Sequence, residues 1–438
     1  MNTNDKFVCG NISVNSQSHL TFAGQDTTTL AAQYGTPLYL MDEDRIRHNC
    51  RTYTEAFRKY FGEGSFPLYA SKANAFKQIY RIVKDEGMGI DVVSVGEIYA
   101  AIQAGFPLEN AFFHSNNKTD DDIAYAIDCG IGYFVVDNIE EIDAIEEKAA
   151  ERGIKQKILL RLTPGIDPHT YAAVNTGKVD SKFGAAIETG QAEEFAVYTL
   201  AQPHIEMRGF HCHVGSQVFA ENVFERAAVA MLEFIAMMRE KHDYTARQLN
   251  LGGGYGVRYV ADDANIDIAQ KIGDVATTVN AACERLNIPV PAIIMEPGRS
   301  IVADAGMTLY TVGAVKTIPG YKSYVSVDGG MTDNPRFALY GSRYTCLAAN
   351  KMRAETSLTC SLVGRCCESG DIIQENVSFP ADIGRGDIVA VCTTGAYNYS
   401  MASNYNRIPR PPIVMLRSGE SYVAVRRETP EDLTSLDL

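Results

Sequence analysis

Short apolar runs recur through the first two thirds of the chain, each followed by apolar residues at helical spacing. The runs fall at 67–70, 90–93, 111–113, 133–136, 158–162, 208–212, 249–251 and 293–295. Runs this short and this uniformly apolar read as strands buried on both faces, and the intervening 3.6-residue periodicity reads as helices that cover them. After 67–70, for example, Phe76, Ile79, Ile82 and Val83 share one helical face. Helix starts are marked as well: Asn138 and Glu141 suggest a capping box ahead of Ile142, Ile145 and Ala149, and Thr119 precedes the acidic run 120–122. Eight strand–helix units over about 230 residues predict an α/β fold of the (β/α)8 barrel type.

A further apolar run at 37–41 and an amphipathic pattern on Ile46, Tyr53, Phe57 and Tyr60 precede the first unit. Residues 1–36 are polar and turn-rich, with one candidate edge strand at 20–22. Beyond residue 300 the helical patterns fade, and turn-punctuated β segments appear at 307–315, 324–327, 359–362, 387–392 and 422–426. The expected organisation is therefore an N-terminal segment, 1–36, that joins a β-domain; a barrel, 37–300; and a C-terminal β-domain of sandwich or barrel type, 301–438. The polar tail after Arg427 suits either a short helix or a disordered end.

Polar residues sharpen this picture. Each proposed strand ends on a residue with chemistry to offer: Lys72, Asp91, His114, Asp137, Arg161, His211 or His213, the run Gly252, Gly253 and Gly254, and Glu296 with Arg299. Barrels of this kind build their active sites at that end. A lysine pressed there toward an apolar interior has a lowered pKa and is suited to a Schiff base, although Lys72 taken alone reads as a surface lysine. The glycines after the seventh strand, with Arg299 after the eighth, suit a phosphate. Amine, phosphate cradle and acid together describe pyridoxal 5′-phosphate. Glu296 then keeps the ring nitrogen protonated, and His213 stacks on the ring; without the cofactor, His211 and His213 read equally well as satisfied core histidines.

Composition narrows the setting. A formal net charge of −14 argues against nucleic acid or an anionic membrane as the main partner. No apolar run approaches the roughly 20 residues of a spanning helix, and the N-terminal stretch lacks a signal peptide's apolar region, so a cytoplasmic location is expected. Ten scattered cysteines without paired metal-type spacing suit reduced thiols, and no metal centre is expected.

Longer motifs then point to a family. In order along the chain stand Tyr69-Ala70-Ser71-Lys72-Ala73-Asn74, Ser181-Lys182-Phe183-Gly184, His211-Cys212-His213-Val214-Gly215-Ser216-Gln217, Gly252-Gly253-Gly254, Glu296-Pro297-Gly298-Arg299-Ser300, Cys367-Glu368-Ser369-Gly370-Asp371, Gly395-Ala396-Tyr397 and Met401-Ala402-Ser403-Asn404-Tyr405-Asn406. Through them nearly the whole chain resembles the alanine-racemase-like, fold-type III pyridoxal-phosphate decarboxylases, and within these the branch that acts on meso-2,6-diaminopimelate.

The resemblance implies that Lys72 carries the cofactor, His213 stacks on it, Ser216 and the three glycines hold its phosphate, Tyr397 reaches that phosphate, and Glu296 pairs with the ring nitrogen. Asp91, Arg161, Gly298 and Arg299 complete the implied cofactor set. It also implies a homodimer with shared active sites, in which Cys367 and Glu368 reach the partner subunit. The implied reaction is decarboxylation of meso-2,6-diaminopimelate to L-lysine and CO2, the last step of lysine biosynthesis, with the Cys367 thiol as proton donor to the α-carbon. The far end of that substrate is a second zwitterionic group, for which Arg299, Arg336, Tyr340 and Glu368, with Tyr397, offer both charge signs and hydroxyls. The shared motifs also admit a relative acting on D-ornithine, D-lysine or carboxynorspermidine, or a non-catalytic cofactor-binding regulator. Val95, Phe337 and the order Arg407-Ile408-Pro409-Arg410 depart from the family pattern near the substrate side.

Overall fold

The structure, a computed structural model, describes residues 7–166 and 182–438. These form two compact units: Asn49–Gly256 with Ile266–Ser300, and the described residues up to His48 with Val257–Asn265 and Ile301–Leu438. Among the described residues no helix is long and apolar enough to cross a membrane. All ten cysteines are free.

The first unit is a closed barrel of eight parallel strands: Phe66–Ala70, Gly89–Val92, Ala111–Phe113, Tyr133–Val136, Gln156–Thr163, Ile205–His211, Gln248–Asn250 and Ala292–Met295. Each pairs with the next, and the eighth returns to the first through Ile294 and Met295 beside Phe66 and Pro67. All eight are the runs read from the sequence. Leu68, Phe112, Tyr133, Val135, Leu159 and Ile294 make one buried apolar cluster. Side chains alternate along a strand, so the residue two places beyond a cluster member shares its face. That periodicity carries Phe112 to His114, Val135 to Asp137, Leu159 to Arg161 and Ile294 to Glu296. Gly89 belongs to the same crowded layer, since a Cβ there would stand 2.5 Å from Leu68 Cδ2.

Helix starts follow the sequence with one difference. Thr119 and Asp122 cap reciprocally, and Asn138 Oδ1 accepts the Glu141 N–H at 2.9 Å. The Glu141 carboxylate does not return that bond; it accepts from the Asp137 N–H at 3.1 Å and from Lys118 Nζ at 2.6 Å. A buried ammonium needs an anion more than the cap needs a second acceptor.

The second unit is built on a sheet in the order Ile372–Pro380, Thr356–Val363, Lys322–Val327, Gly306–Ile318, Leu38–Asp42, Ile413–Arg417 and Glu420–Val425. Ile388–Cys392 pairs with Gly306–Ile318 and with Cys346–Ala348. The run at 37–41, assigned by sequence to the start of the barrel, lies instead inside this sheet, antiparallel to Gly306–Ile318 and parallel to Ile413–Arg417. The five residues of this strand, Leu38–Asp42, are all buried, and a run apolar on both faces cannot reveal from sequence which sheet will cover it. The tail carries a short helix, Pro430–Thr434, capped by Thr429 and Asp432.

Buried Asp333 lies within this unit. Tyr310 donates its hydroxyl to Asp333 Oδ1, and the Gly330 N–H donates to Oδ2 at 2.9 Å. Burial pushes this carboxyl from an ordinary 3.8 up to about 7, against the pull of those hydrogen bonds. A folded-state pKa above the unfolded value means that the native protein binds the extra proton, so the stability it contributes is complete below about 4 and is lost as pH rises through about 7. Asp333→Asn, which keeps an acceptor for Tyr310, is expected to flatten this dependence by a few kcal/mol, since each tenfold difference in proton affinity between the folded and unfolded chain is worth about 1.4 kcal/mol. Denaturant titrations at pH 5 and 8 check it; equal pH slopes in both proteins would exclude Asp333 as the source.

Candidate active site

Lys72 occupies the turn Ser71–Ala73 after the first barrel strand. Ser71 and Ala73 are buried, but the Lys72 side chain is 46% exposed. The sequence reading had pressed this lysine into an apolar interior. The structure corrects that: the small neighbours Ser71 and Ala73 fill the interior, and the Lys72 side chain as a whole is only half-buried. Lys72 Nζ lies 4.0 Å from Asp91 Oδ2. Asp91 is 1% exposed, and its Oδ1 is 3.9 Å from His114 Nε2. Burial raises its pKa, opposed by His114 and Lys72.

Glu296 follows the eighth strand and is buried. Asn250 Nδ2 donates to its Oε1 at 2.6 Å, His211 Nε2 meets Oε2 at 3.2 Å, and His114 Nε2 approaches Oε1 to 2.9 Å. Burial would raise the Glu296 pKa, but the two imidazoles outweigh it and hold the carboxyl well below the usual range. Burial pushes His211 down to about 4, so its ring is neutral. The His114 and His211 rings meet edge-on with centroids 4.9 Å apart. Their nitrogens and the carboxylate lie within 4.8 Å of one another, a spacing that could suit a divalent ion, but each nitrogen already faces a carboxylate oxygen.

His213 is tied to the glycine run. Its Nδ1 accepts the Gly253 N–H at 3.3 Å, and burial holds its pKa well below the usual value, so the proton of the neutral ring sits on Nε2. Gly252, at φ +67°, has no room for a Cβ, which would stand 2.7 Å from the Cys212 carbonyl oxygen and 2.8 Å from His213 Nδ1. At Gly253 a Cβ would stand 2.0 Å from the Glu296 carbonyl oxygen. Both glycines let the loops after strands six, seven and eight come together. Arg299 Nη2 donates to Ser216 Oγ at 3.1 Å, and Gly298 packs against Ala70. Arg161 Nε lies 3.9 Å from Asp137 Oδ1, its guanidinium 4.2 Å over the Phe183 ring. Ser181 of the Ser181-Lys182-Phe183-Gly184 motif lies outside the described residues.

Two residues of this unit escaped the sequence reading. Asn250 ends the seventh strand on the same face as the other strand-end residues, which strand parity could have shown. Glu97 takes the Val93 N–H at 2.7 Å, and burial pushes its carboxyl up to about 7. Only its place three residues after the helix cap Ser94 hinted at it.

The other unit carries Arg336, Tyr340, Cys367, Glu368 and Tyr397, and among these it brings Arg336 against Tyr340 and Tyr397. Asp371 joins two of its loops by accepting the Met331 N–H at 2.6 Å and the Cys366 N–H at 2.7 Å. The Arg336 guanidinium carbon lies 5.6 Å from the Tyr340 ring centroid and 5.4 Å from that of Tyr397, and its Nη2 donates to Ser342 Oγ at 3.3 Å. Tyr397 sits at φ +61°, the left-handed region that a non-glycine residue holds only when its surroundings dictate it. Cys367 is exposed, and its N–H donates to Asn406 Oδ1 at 2.9 Å. Glu368 Oε1 accepts the Gly370 N–H at 3.2 Å.

Known proteins resemble this chain in sequence and fold. The family described as "Pyridoxal-dependent decarboxylase, pyridoxal binding domain" matches residues 43–303. The chain is 42% identical to the diaminopimelate decarboxylase of Bacillus subtilis (strain 168), over 99% of this chain and 98% of that one. It is 43% identical to that of Bacillus methanolicus, over 96% of each. Its fold is similar to the crystal structure of diaminopimelate decarboxylase from M. jannaschii, with a TM-score of 0.89 and 32% identity over 98% of both chains. It is also similar to the Helicobacter pylori enzyme complexed with L-lysine, with a TM-score of 0.85 and 32% identity over 94% of this chain and 99% of that one. With strand-end lysine, paired histidines and carboxylate on one barrel, and this likeness along nearly its full length, the chain belongs to the diaminopimelate decarboxylases of the pyridoxal-dependent decarboxylase family.

Proposed function

We propose that this protein decarboxylates meso-2,6-diaminopimelate to L-lysine and CO2 with pyridoxal 5′-phosphate, as a cytoplasmic homodimer with shared active sites. One observation carries the reading: a half-buried lysine and a buried, ionised carboxylate, Lys72 and Glu296, follow two neighbouring strands of one closed barrel. The donor set fits the cofactor. Lys72 Nζ would take its aldehyde, Glu296 its ring nitrogen, and the His213 ring its face, while Ser216, Arg299 and the glycine loop would hold its phosphate. When bound, the cofactor supplies an electron-withdrawing ring that lets the bond from the substrate Cα to its carboxyl carbon break.

The chain's own residues do the rest. Asp91, on which Arg161 also acts, sets the charge beside the Lys72 amine. Cys367 Sγ–H gives its proton to Cα once CO2 has left, and solvent restores the thiol. In the proposed dimer Cys367 and Glu368 serve the partner subunit's barrel. Arg336 meets the far carboxylate and Glu368 the far ammonium, with Tyr340 beside Arg336.

Incubation with meso-2,6-diaminopimelate should yield L-lysine and CO2 in equal amounts. Faster turnover of D-ornithine, D-lysine or carboxynorspermidine in the same panel would overturn the substrate, and binding without product would overturn catalysis. Arg336→Ala is expected to raise KM for meso-2,6-diaminopimelate about 10–100-fold, the worth of a charge-assisted hydrogen bond. Any activity on lysine or ornithine should change far less, and equal losses on all three would remove Arg336 from this role.

A further inference from the structure

We infer that His114 and His211 are positioning residues that hold the Glu296 carboxylate as a fixed anion, so that it can keep the cofactor's ring nitrogen protonated. This role presupposes that Glu296 is the nitrogen's partner, as proposed above.

A carboxylate as buried as Glu296 takes up a proton unless donors replace the water it lost. Asn250 serves only Oε1. His211 Nε2 pairs with Oε2 at 3.2 Å, while His114 Nε2 stands 2.9 Å from Oε1 without hydrogen-bond alignment and acts on the carboxylate by proximity. The edge-on contact of the two rings lets each fix the other's orientation. A neutral imidazole stabilises the anion by its N–H dipole without cancelling the charge, and His211 is neutral. The negative charge of the cluster is then left for a pyridinium.

The other charged groups facing the cluster are Asp91, 3.9 Å from His114 Nε2, together with Glu97 and Asp137 on the His114 side and Arg161, Lys72 and His213. Asp91 is acidic, and neither Lys72 nor Arg161 approaches the Glu296 oxygens within ion-pair distance among the described residues. The imidazoles are therefore the groups that decide its charge. Strand parity put both on the inner face, but sequence could not separate them from satisfied core histidines.

The test loads the full-length protein with ring-15N pyridoxal 5′-phosphate and reads the nitrogen's protonation from the solid-state 15N spectrum. Wild type and the His114→Gln/His211→Gln protein, in which amide N–H groups replace the imidazole donors, should show a pyridinium. The His114→Leu/His211→Leu protein should show a neutral nitrogen and hold the cofactor about tenfold more weakly in equilibrium dialysis. Circular dichroism checks the fold of each, and if the double leucine protein is not native, His211→Leu alone is read by the same two measurements. A pyridinium in the folded leucine variant, or a neutral nitrogen in the glutamine variant, overturns the role. A neutral nitrogen in wild type overturns instead the pairing of Glu296 with the ring.

Discussion

Lys72→Ala is expected to lower decarboxylation of meso-2,6-diaminopimelate by about 10³-fold or more, the scale of losing a group that acts at the reacting centre itself. Borohydride reduction of the loaded wild-type protein should fix the cofactor at position 72, and the variant should carry no label. The fold should survive, because the Lys72 side chain is 46% exposed and the buried small residues Ser71 and Ala73 hold the turn. Melting temperatures of the two cofactor-free proteins should therefore agree. Lys72→Arg keeps the charge beside Asp91 but cannot act as the amine, so it should be as inactive as alanine. Activity within tenfold of wild type in either variant, with intact protein, would remove Lys72 from the chemistry.

Cys367→Ala should cost about 10²–10⁴-fold in kcat, the range for a positioned proton donor. The change spares the local structure, since Cys367 is exposed and its anchor is a backbone N–H to Asn406. The pair of variants also tests the shared site. Mixing equal amounts of the Lys72→Ala and Cys367→Ala proteins under conditions that exchange subunits should restore about a quarter of wild-type activity, because random pairing in a two-fold dimer leaves that share of sites with both groups intact. No recovery, after exchange has been verified by mass spectrometry, would place Cys367 and Lys72 in the same subunit's site or outside catalysis.

Much of the barrel was readable one segment at a time. Each run, such as 133–136 or 293–295, is short, apolar and followed by a helical pattern, and the strands occur where those runs stand. The run at 37–41 looked the same and joined a different sheet. Ile413–Arg417 was passed over, and one of its partners, Leu38–Asp42, lies far away in the chain; Ile372–Pro380 was passed over although its partner, Thr356–Val363, directly precedes it. At the barrel mouth, the residue types that end the strands were visible in order, while Asn250 and Glu97 stayed hidden because neither is unusual outside its surroundings.

Amino-acid order alone thus settled the local facts: where the short apolar strands stand, where helices start, and that His114, Asp137, Arg161 and Glu296 end their strands. Only the closed tertiary structure decided that the Lys72 side chain is half-buried rather than pressed into the interior, that Leu38–Asp42 serves the β sheet, and that Glu296 is an anion clasped by two imidazoles and an amide. The reason is range. Alternation and capping act between near neighbours, whereas desolvation and charge depend on which distant side chains the fold brings within a few ångströms and shields from water.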